Sequence, residues 1–214
     1  MIPSRVEQIA GDDYVESVWR NELGGLTYRL VSRNGAAIRY VKWQSYAGLS
    51  GNQRKDVDLA VEAEKLRWAG RYGRSIKVPR VLDLGLDDDS AWLVTQGIAG
   101  IPAFDPRWKS TPETAVVAIA KGLRHLHDSL PVEECPYRGT WVEEGVSVPA
   151  PDKLVVCHGD PCVPNTLLDS AGDFVAQVDF SQMGVADRWA DLAIATYSIS
   201  WDINFGRSYD DVFF

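Results

Sequence analysis

Long apolar runs are missing from this sequence. The best candidate, Thr114 to Leu123, is interrupted by Lys121, whereas a membrane-spanning helix needs roughly 18 or more uncharged residues. A bilayer is therefore excluded as a partner. Cysteine is scarce: Cys135, Cys157 and Cys162 are odd in number and form no C-x-x-C pair, which argues against a disulfide framework and against a zinc site. Free thiols are expected. A secretory leader is not expected either, because Met1-Ile-Pro-Ser-Arg5 runs into Glu7, Gly11, Asp12 and Asp13 rather than into an apolar stretch; the expected location is the cytoplasm. Cations are in deficit, with 22 Lys and Arg against 30 Asp and Glu and a formal net charge of -8. Such a chain repels a phosphate backbone and attracts polycations, which excludes nucleic acid. Solubility alone also accounts for acidity. No internal repeat or low-complexity tract occurs, and 45% hydrophobic with 24% charged residues describes one globular domain or two small lobes.

The local patterns divide the chain in two. Tyr14–Trp19, Thr27–Ser32 and Ala37–Lys42 are rich in β-branched and aromatic residues, with turns at Asn21 to Gly25 and at Asn34-Gly35, and they predict an antiparallel meander. From Asp56 to Trp68 the period changes: Leu59, Ala63 and Leu66 share a face while Glu62, Glu64, Lys65 and Arg67 stay polar, which predicts one helix. Strand chemistry returns at Val78 to Gly85 and, after the acidic turn Asp87 to Ser90, at Ala91–Thr95. Five strands and one helix are expected there, followed by a linker near residues 97–106. Thr111-Pro-Glu-Thr114 opens a helix whose apolar face runs through Val116, Ile119, Leu123 and Leu126. Leu154–Cys157 and Phe174–Val178 read as short buried strands, and Asp187 to Ser200 as a helix.

Chemistry concentrates in Val156-Cys-His-Gly-Asp160-Pro-Cys-Val-Pro-Asn165, followed after a hairpin by Val178-Asp179. A carboxylate at a strand end, an amide five residues on and a second carboxylate at the next strand end are hard oxygen donors suited to Mg²⁺ and phosphate. Each taken singly is a turn or cap residue; their order and spacing favour a site. His158, His125 and His127 read as packed or surface histidines that orient rather than ligate, and Asp187 with Asp191 as a loop-fixing and helix-start pair.

His158-Gly-Asp160-x4-Asn165 resembles the catalytic loop of small-molecule kinases related in fold to protein kinases. Leu130-Pro-Val-Glu-Glu-Cys-Pro136, Val155 to Asp160 and Gly184-Val-Ala-Asp-Arg-Trp-Ala-Asp-Leu-Ala193 resemble, more narrowly, the aminoglycoside 3'-phosphotransferases. The resemblance extends from about residue 14 to the end. It implies an α+β, two-lobed protein-kinase-like fold: residues 1–98 form a nucleotide-binding lobe with a hinge at about 95–100, and residues 99–214 a mostly helical, shortened catalytic lobe. It implies ATP-dependent phosphorylation of a hydroxyl on an aminoglycoside, conferring resistance, with GTP the other nucleotide. Asp160 takes the place of the catalytic base, and Asn165 and Asp179 those of the Mg²⁺ ligands. Lys42 holds nucleotide phosphates and is itself held by Glu62, or by Glu64 if the helix is read one turn differently. Gly25 and Thr27 lie over the phosphates, main-chain groups of Gln96 and Ile98 meet the adenine edge, and Asp202 faces the ammonium groups of the acceptor, helped by Glu133, Glu134, Glu143 and Glu144.

The chain departs from the family at three places. Ser181 and Gln182 stand where Gly and Arg are usual, the helical insert between Cys135 and His158 is replaced by a short loop, and relatives continue beyond Phe214. The departures keep two other readings open, a kinase of another small alcohol (choline-like, macrolide or metabolite) and a non-catalytic truncated relative.

Overall fold

The structure is a computed structural model that describes residues 2–139 and 150–214. The chain divides into two compact units, Met1–Arg67 with Pro79–Ile98 and Trp68–Val78 with Ala99–Phe214.

The first unit contains helix α1 (Ser4–Ala10), strands β1 (Tyr14–Arg20), β2 (Leu26–Val31) and β3 (Ile38–Ser45), helix α2 (Gly51–Asp56), most of α3 (Leu59–Ala69), and strands β4 (Val81–Leu86) and β5 (Ser90–Gln96). The sheet order is β1-β2-β3-β5-β4, antiparallel throughout. The first three strands form the expected meander. The chain then returns at the far edge as β4, and the β4–β5 hairpin seats β5 against β3. Its turn is closed by Asp87, whose Oδ1 accepts hydrogen bonds from Ser90 N–H at 2.7 Å and from the Ser90 hydroxyl at 2.9 Å.

Where the sequence pattern predicts one helix, this unit has three. The seven-residue α1 is too short to display a period, yet it buries Val6 and Ala10 against Tyr28, Leu30, Val41 and Val94 on one face of the sheet. Burying an aliphatic side chain of this size contributes about 1.5–3 kcal/mol. The second, α2, is polar and has no buried residue; it is set by a capping box in which Ser50 Oγ accepts from Gln53 N–H and Gln53 Oε1 from Ser50 N–H.

The second unit contains strand β6 (Ile101–Pro102), helix α4 (Pro112–Ser129), strands β7 (Leu154–Cys157), β8 (Thr166–Leu168), β9 (Phe174–Gln177) and β10 (Gly184–Asp187), and helices α5 (Trp189–Ser200) and α6 (Asp210–Phe213). Pro112 opens α4, whose apolar face buries Val116, Ile119 and Leu123 against Val163, Leu168, Ile199 and Phe213. The helix predicted from Asp187 begins at Trp189, and Asp187 itself ends β10, which pairs antiparallel with β7. The other short sheet has the order β6-β8-β9. The two sheets bring the ends of β7 and β9 into use while leaving the residues that follow each strand as loops. No helix among the described residues is long and apolar enough to cross a membrane.

Candidate active site

In the first unit, β3 and α3 deliver a charge pair. Lys42 Nζ lies 2.8 Å from both carboxylate oxygens of Glu62, which is 4% exposed. Glu64, two residues on, faces solvent, so the helix register selects Glu62. A bidentate contact to a buried carboxylate fixes the ammonium at one end of a flexible stem. The turn before β2 is held just as firmly. Gly24 adopts φ 81°, Gly25 N–H donates to Asn21 Oδ1 at 2.6 Å, and the buried Gln44 accepts from Asn21 Nδ2 and donates to Leu23 O. A Cβ on Gly25 would lie 2.3 Å from Gln44 Oε1 and 2.4 Å from Asn21 Nδ2, so any larger residue would displace that brace. Thr27 pairs with Lys42 across β2 and β3. At the end of β5, Gln96 N–H donates to Arg80 O at 2.8 Å, and Ile98 closes the unit.

In the second unit, β7 carries the chain through the buried Val155, Val156 and Cys157 into the loop His158 to Asn165. Both ring nitrogens of His158 are committed. Nδ1 accepts from Asp160 N–H at 3.3 Å, so the proton sits on Nε2, which donates to Val178 O at 2.9 Å. The ring is fully buried against Phe180. His158 thus ties the loop of Asp160 to the strand end of Asp179, the orienting role expected of it. Gly159 has φ 90°, and a Cβ there would meet Gln182 O at 2.3 Å; the two loops approach backbone to backbone.

Asn165 joins the same structure. Its Nδ2 donates to Asp160 O at 2.8 Å and to Asp160 Oδ2 at 3.3 Å, while its own carbonyl accepts from Val178 N–H at 2.9 Å. Asn165 and Asp179 therefore flank one end of the β8–β9 pairing, where Thr166 faces Gln177. Asp179 is the only non-glycine among the described residues with positive φ, 66°, and its Oδ1 accepts from Ser181 Oγ at 3.2 Å. Such a conformation is uncommon and marks a carboxylate aimed by its backbone. The departure from the family at Ser181 thus supplies a hydrogen bond to Asp179. With Nδ2 occupied, the Asn165 acceptor is Oδ1, and together with the Asp179 carboxylate it is a hard-oxygen donor set of the kind Mg²⁺ takes.

The strongest anchor was not apparent as such from the sequence. Asp191, in the first turn of α5, is fully buried; Oδ1 accepts from Gly159 N–H at 2.8 Å, and Oδ2 from His158 N–H and from His127 Nε2, each at 2.8 Å. Read from sequence it is a helix-start residue. The signal was there: Asp191 shares a stripe with Ala195 and Ser198, and all three are buried. Asp187, its supposed companion, accepts from Asp152 N–H and Trp189 N–H. Burial, and then Asp191, pushes the Cys157 thiol well up.

Asp202 is exposed in the turn after α5. Glu134 instead braces its own unit, its carboxylate accepting from the Tyr72 hydroxyl at 2.7 Å and its carbonyl from Trp68 Nε1 at 3.2 Å. Glu133 is exposed, and Glu143 and Glu144 lie outside the described residues.

Known proteins with these features are phosphotransferases. The family model described as "Phosphotransferase enzyme family" matches residues 141–214. An aminoglycoside 3'-phosphotransferase of Streptomyces fradiae is 36% identical over 73% of this chain and 71% of its own length. A streptomycin 3''-kinase of Streptomyces griseus is 31% identical, over 82% and 75% respectively. The crystal structure of an aminoglycoside-3'-phosphotransferase of type VIII superposes with a TM-score of 0.77 at 27% identity, covering 98% of this chain and 87% of that one. An aminoglycoside phosphotransferase from Streptomyces rimosus, solved in complex with ADP and streptomycin, gives 0.67 at 26% identity, covering 91% and 80%. The α+β kinase-like fold implied by the loop around Asp160 is thus the fold found. Likeness on this scale, over most of each chain and through the loops that hold Asp160 and Asp179, means that this chain belongs to the phosphotransferase enzyme family that includes the aminoglycoside 3'-phosphotransferases.

Proposed function

We propose that the chain transfers the γ-phosphoryl group of ATP to a hydroxyl of an aminoglycoside, in the manner of an antibiotic-resistance enzyme. The observation that carries this reading is the clasp of Asp160 by Asn165 beside the strand end of Asp179. The Asp160 carboxylate orients the acceptor hydroxyl and takes its proton as the oxygen attacks phosphorus; the bond to the bridging oxygen breaks and ADP leaves. Lys42, held by Glu62, binds nucleotide phosphates, with backbone N–H groups of the Gly25 turn and Thr27 over them. The adenine edge meets main-chain groups of Gln96 and Ile98. Asn165 and Asp179 are the residues that would hold Mg²⁺, which when bound neutralises charge on the phosphates. Positioning and charge neutralisation supply most of the rate. The ADP in the Streptomyces rimosus relative supports an adenine nucleotide, and dependence on ATP fits a cytoplasmic enzyme.

The acceptor class is tested by ADP release with ATP or GTP, Mg²⁺ and a panel of streptomycin, kanamycin A, hygromycin B, choline and a neutral macrolide. Turnover confined to the polyammonium sugars is expected; preference for choline or the macrolide would overturn the assignment.

Asp202 supplies a finer test. A polyammonium acceptor is drawn by exposed carboxylates through a field that salt screens over about 8–10 Å. Asp202→Asn is expected to raise KM for the acceptor about two- to fivefold, the kinetic equivalent of the ~0.5–1 kcal/mol of an exposed charge pair, and to leave KM for ATP unchanged. Added salt should reproduce part of the effect in the unsubstituted protein. Equal acceptor KM values at low salt would remove Asp202 from the acceptor site.

A further inference from the structure

Strand β3 carries a second polar side chain on the face of Lys42. Val41 and Trp43 pack on the side of α1, so Lys42 and Gln44, which alternate with them, share the opposite face. Gln44 is 2% exposed, and its amide is directed at the turn between β1 and β2. Nε2 donates to Leu23 O at 3.1 Å and to Ser45 O at 2.8 Å, and Oε1 accepts from Asn21 Nδ2 at 3.3 Å. Two carbonyl acceptors on one nitrogen fix which end of the amide is which. Asn21 completes the frame. Its Oδ1 accepts from Gly25 N–H at 2.6 Å, its own N–H donates to Gly25 O at 2.9 Å, and its carbonyl accepts from Gly24 N–H at 3.1 Å.

The next hairpin shows what a turn in this sheet needs for folding alone. The β2–β3 turn closes with groups of its own: Gly35 N–H on Ser32 O, Ser32 N–H on Ala37 O and Ala37 N–H on Ser32 Oγ. The β1–β2 turn instead receives a buried amide from a residue 23 positions beyond Asn21. That amide carries a desolvation cost an aliphatic side chain would not. The brace also decides which donors the turn has left. The N–H groups of Asn21, Gly24 and Gly25 are satisfied internally, and among the described residues those of Glu22 and Leu23, between them, have no acceptor. Successive main-chain N–H groups of this kind bind anionic oxygens.

We propose that Gln44 and Asn21 are positioning residues for the nucleotide, holding the β1–β2 turn in the arrangement that keeps Glu22 and Leu23 N–H free for phosphate oxygens. The proposal rests on the reading of this turn as lying over the phosphates. Without the brace the turn samples other closures, and affinity falls with the fraction of time it spends in the competent one.

The test is equilibrium titration of the full chain with Mg²⁺ and either AMP-PNP, an ATP analogue, or adenosine. The variants are Asn21→Ala, Gln44→Met, Glu22→Pro, Glu22→Ala and Lys42→Ala, with Asn34→Ala as a control in the β2–β3 turn. A turn competent about one-tenth of the time raises a dissociation constant about 10-fold, so Asn21→Ala and Gln44→Met are expected to bind AMP-PNP about 5- to 10-fold more weakly. Adenosine has no phosphate to sense the turn and should bind them within about twofold of the unsubstituted chain. A merely structural role would not give that split, since general loosening of the unit weakens both ligands. Gly24 N–H on Asn21 O makes Glu22 the second residue of a β-turn, a position that suits proline. Glu22→Pro removes one free N–H and should bind AMP-PNP about 10-fold more weakly than Glu22→Ala, which loses only the carboxylate. Asn34→Ala should bind both ligands like the unsubstituted chain. Should Gln44→Met not fold, Asn21→Ala decides alone, since Asn21 is only half-buried. The positioning role is overturned if Asn21→Ala and Gln44→Met bind AMP-PNP as the unsubstituted chain does while Lys42→Ala binds it more weakly. It is equally overturned if adenosine affinity falls in parallel, or if Glu22→Pro and Glu22→Ala bind AMP-PNP alike. An unsubstituted chain that binds no AMP-PNP, or a Lys42→Ala variant that binds it unchanged, defeats the nucleotide reading of this unit and this role with it.

Discussion

Asp160→Ala is expected to lower kcat by about 10²–10⁴-fold, the contribution of a positioned general base, while nucleotide affinity stays within about twofold. The asymmetry follows from what Asp160 touches. Its main chain is tied to His158 and Asn165, and its carboxylate receives Asn165 Nδ2 at 3.3 Å. The Lys42–Glu62 pair, for which phosphate binding is proposed, belongs to the other unit. Because the side chain is half-exposed, its removal leaves no large cavity, and the variant should unfold at nearly the same urea concentration as the unsubstituted protein. Single-turnover kinetics combined with equilibrium titration of ADP separate the two effects. Turnover within a few fold of the unsubstituted protein would strip Asp160 of its role.

The second large effect belongs to Asp191 and falls on stability first. Its carboxylate is fully buried and receives three N–H donors, from His127, His158 and Gly159. Asp191→Ala strands all three. Leaving one buried donor unsatisfied costs about 1–3 kcal/mol, and here three are stranded together. A loss of about 3–5 kcal/mol is therefore expected, a large part of the 5–15 kcal/mol that holds a typical domain. Urea unfolding followed by near-UV circular dichroism measures it as a fall in midpoint at constant slope. His127→Ala removes only one of the three contacts and should lose less than half as much. A midpoint unmoved by Asp191→Ala would mean that the loop holds its shape without this anchor.

The sheet strands were legible in the sequence because β-branched and aromatic residues alternate cleanly between turn formers, as from Leu26 to Val31 and from Ile38 to Ser45. The placement of β5 between β3 and β4 was not, since strand order depends on long-range pairing that no local pattern records. Helix α1 escaped because two buried residues, Val6 and Ala10, cannot define a period. Strand β10 was not legible, because Gly184–Asp187 is set by its distant pairing with β7, whereas the helix read from Asp187 to Ser200 is found as Trp189–Ser200.

For the site, the spacing of Asp160, Asn165 and Asp179 pointed to residues that the structure gathers at the ends of β7, β8 and β9, with Asn165 bonded to Asp160. The supports were less so. Asn21, Gln44 and Asp191 are ordinary polar residues whose role lies in which buried donor or acceptor they satisfy, and that depends on partners 4 to 64 residues away. Ser181 shows the limit of a family pattern: where the relatives usually have glycine, this chain places a hydroxyl that bonds Asp179.

The measurement that bears most directly on the central claim is the mass spectrum of kanamycin A and streptomycin after incubation with the chain, Mg²⁺ and ATP, run beside Asp160→Ala. Gain of a single phosphoryl group by at least one sugar, stoichiometric with ADP and absent with the variant, is the predicted result. Unmodified sugars in the presence of a folded chain that binds ATP would contradict it.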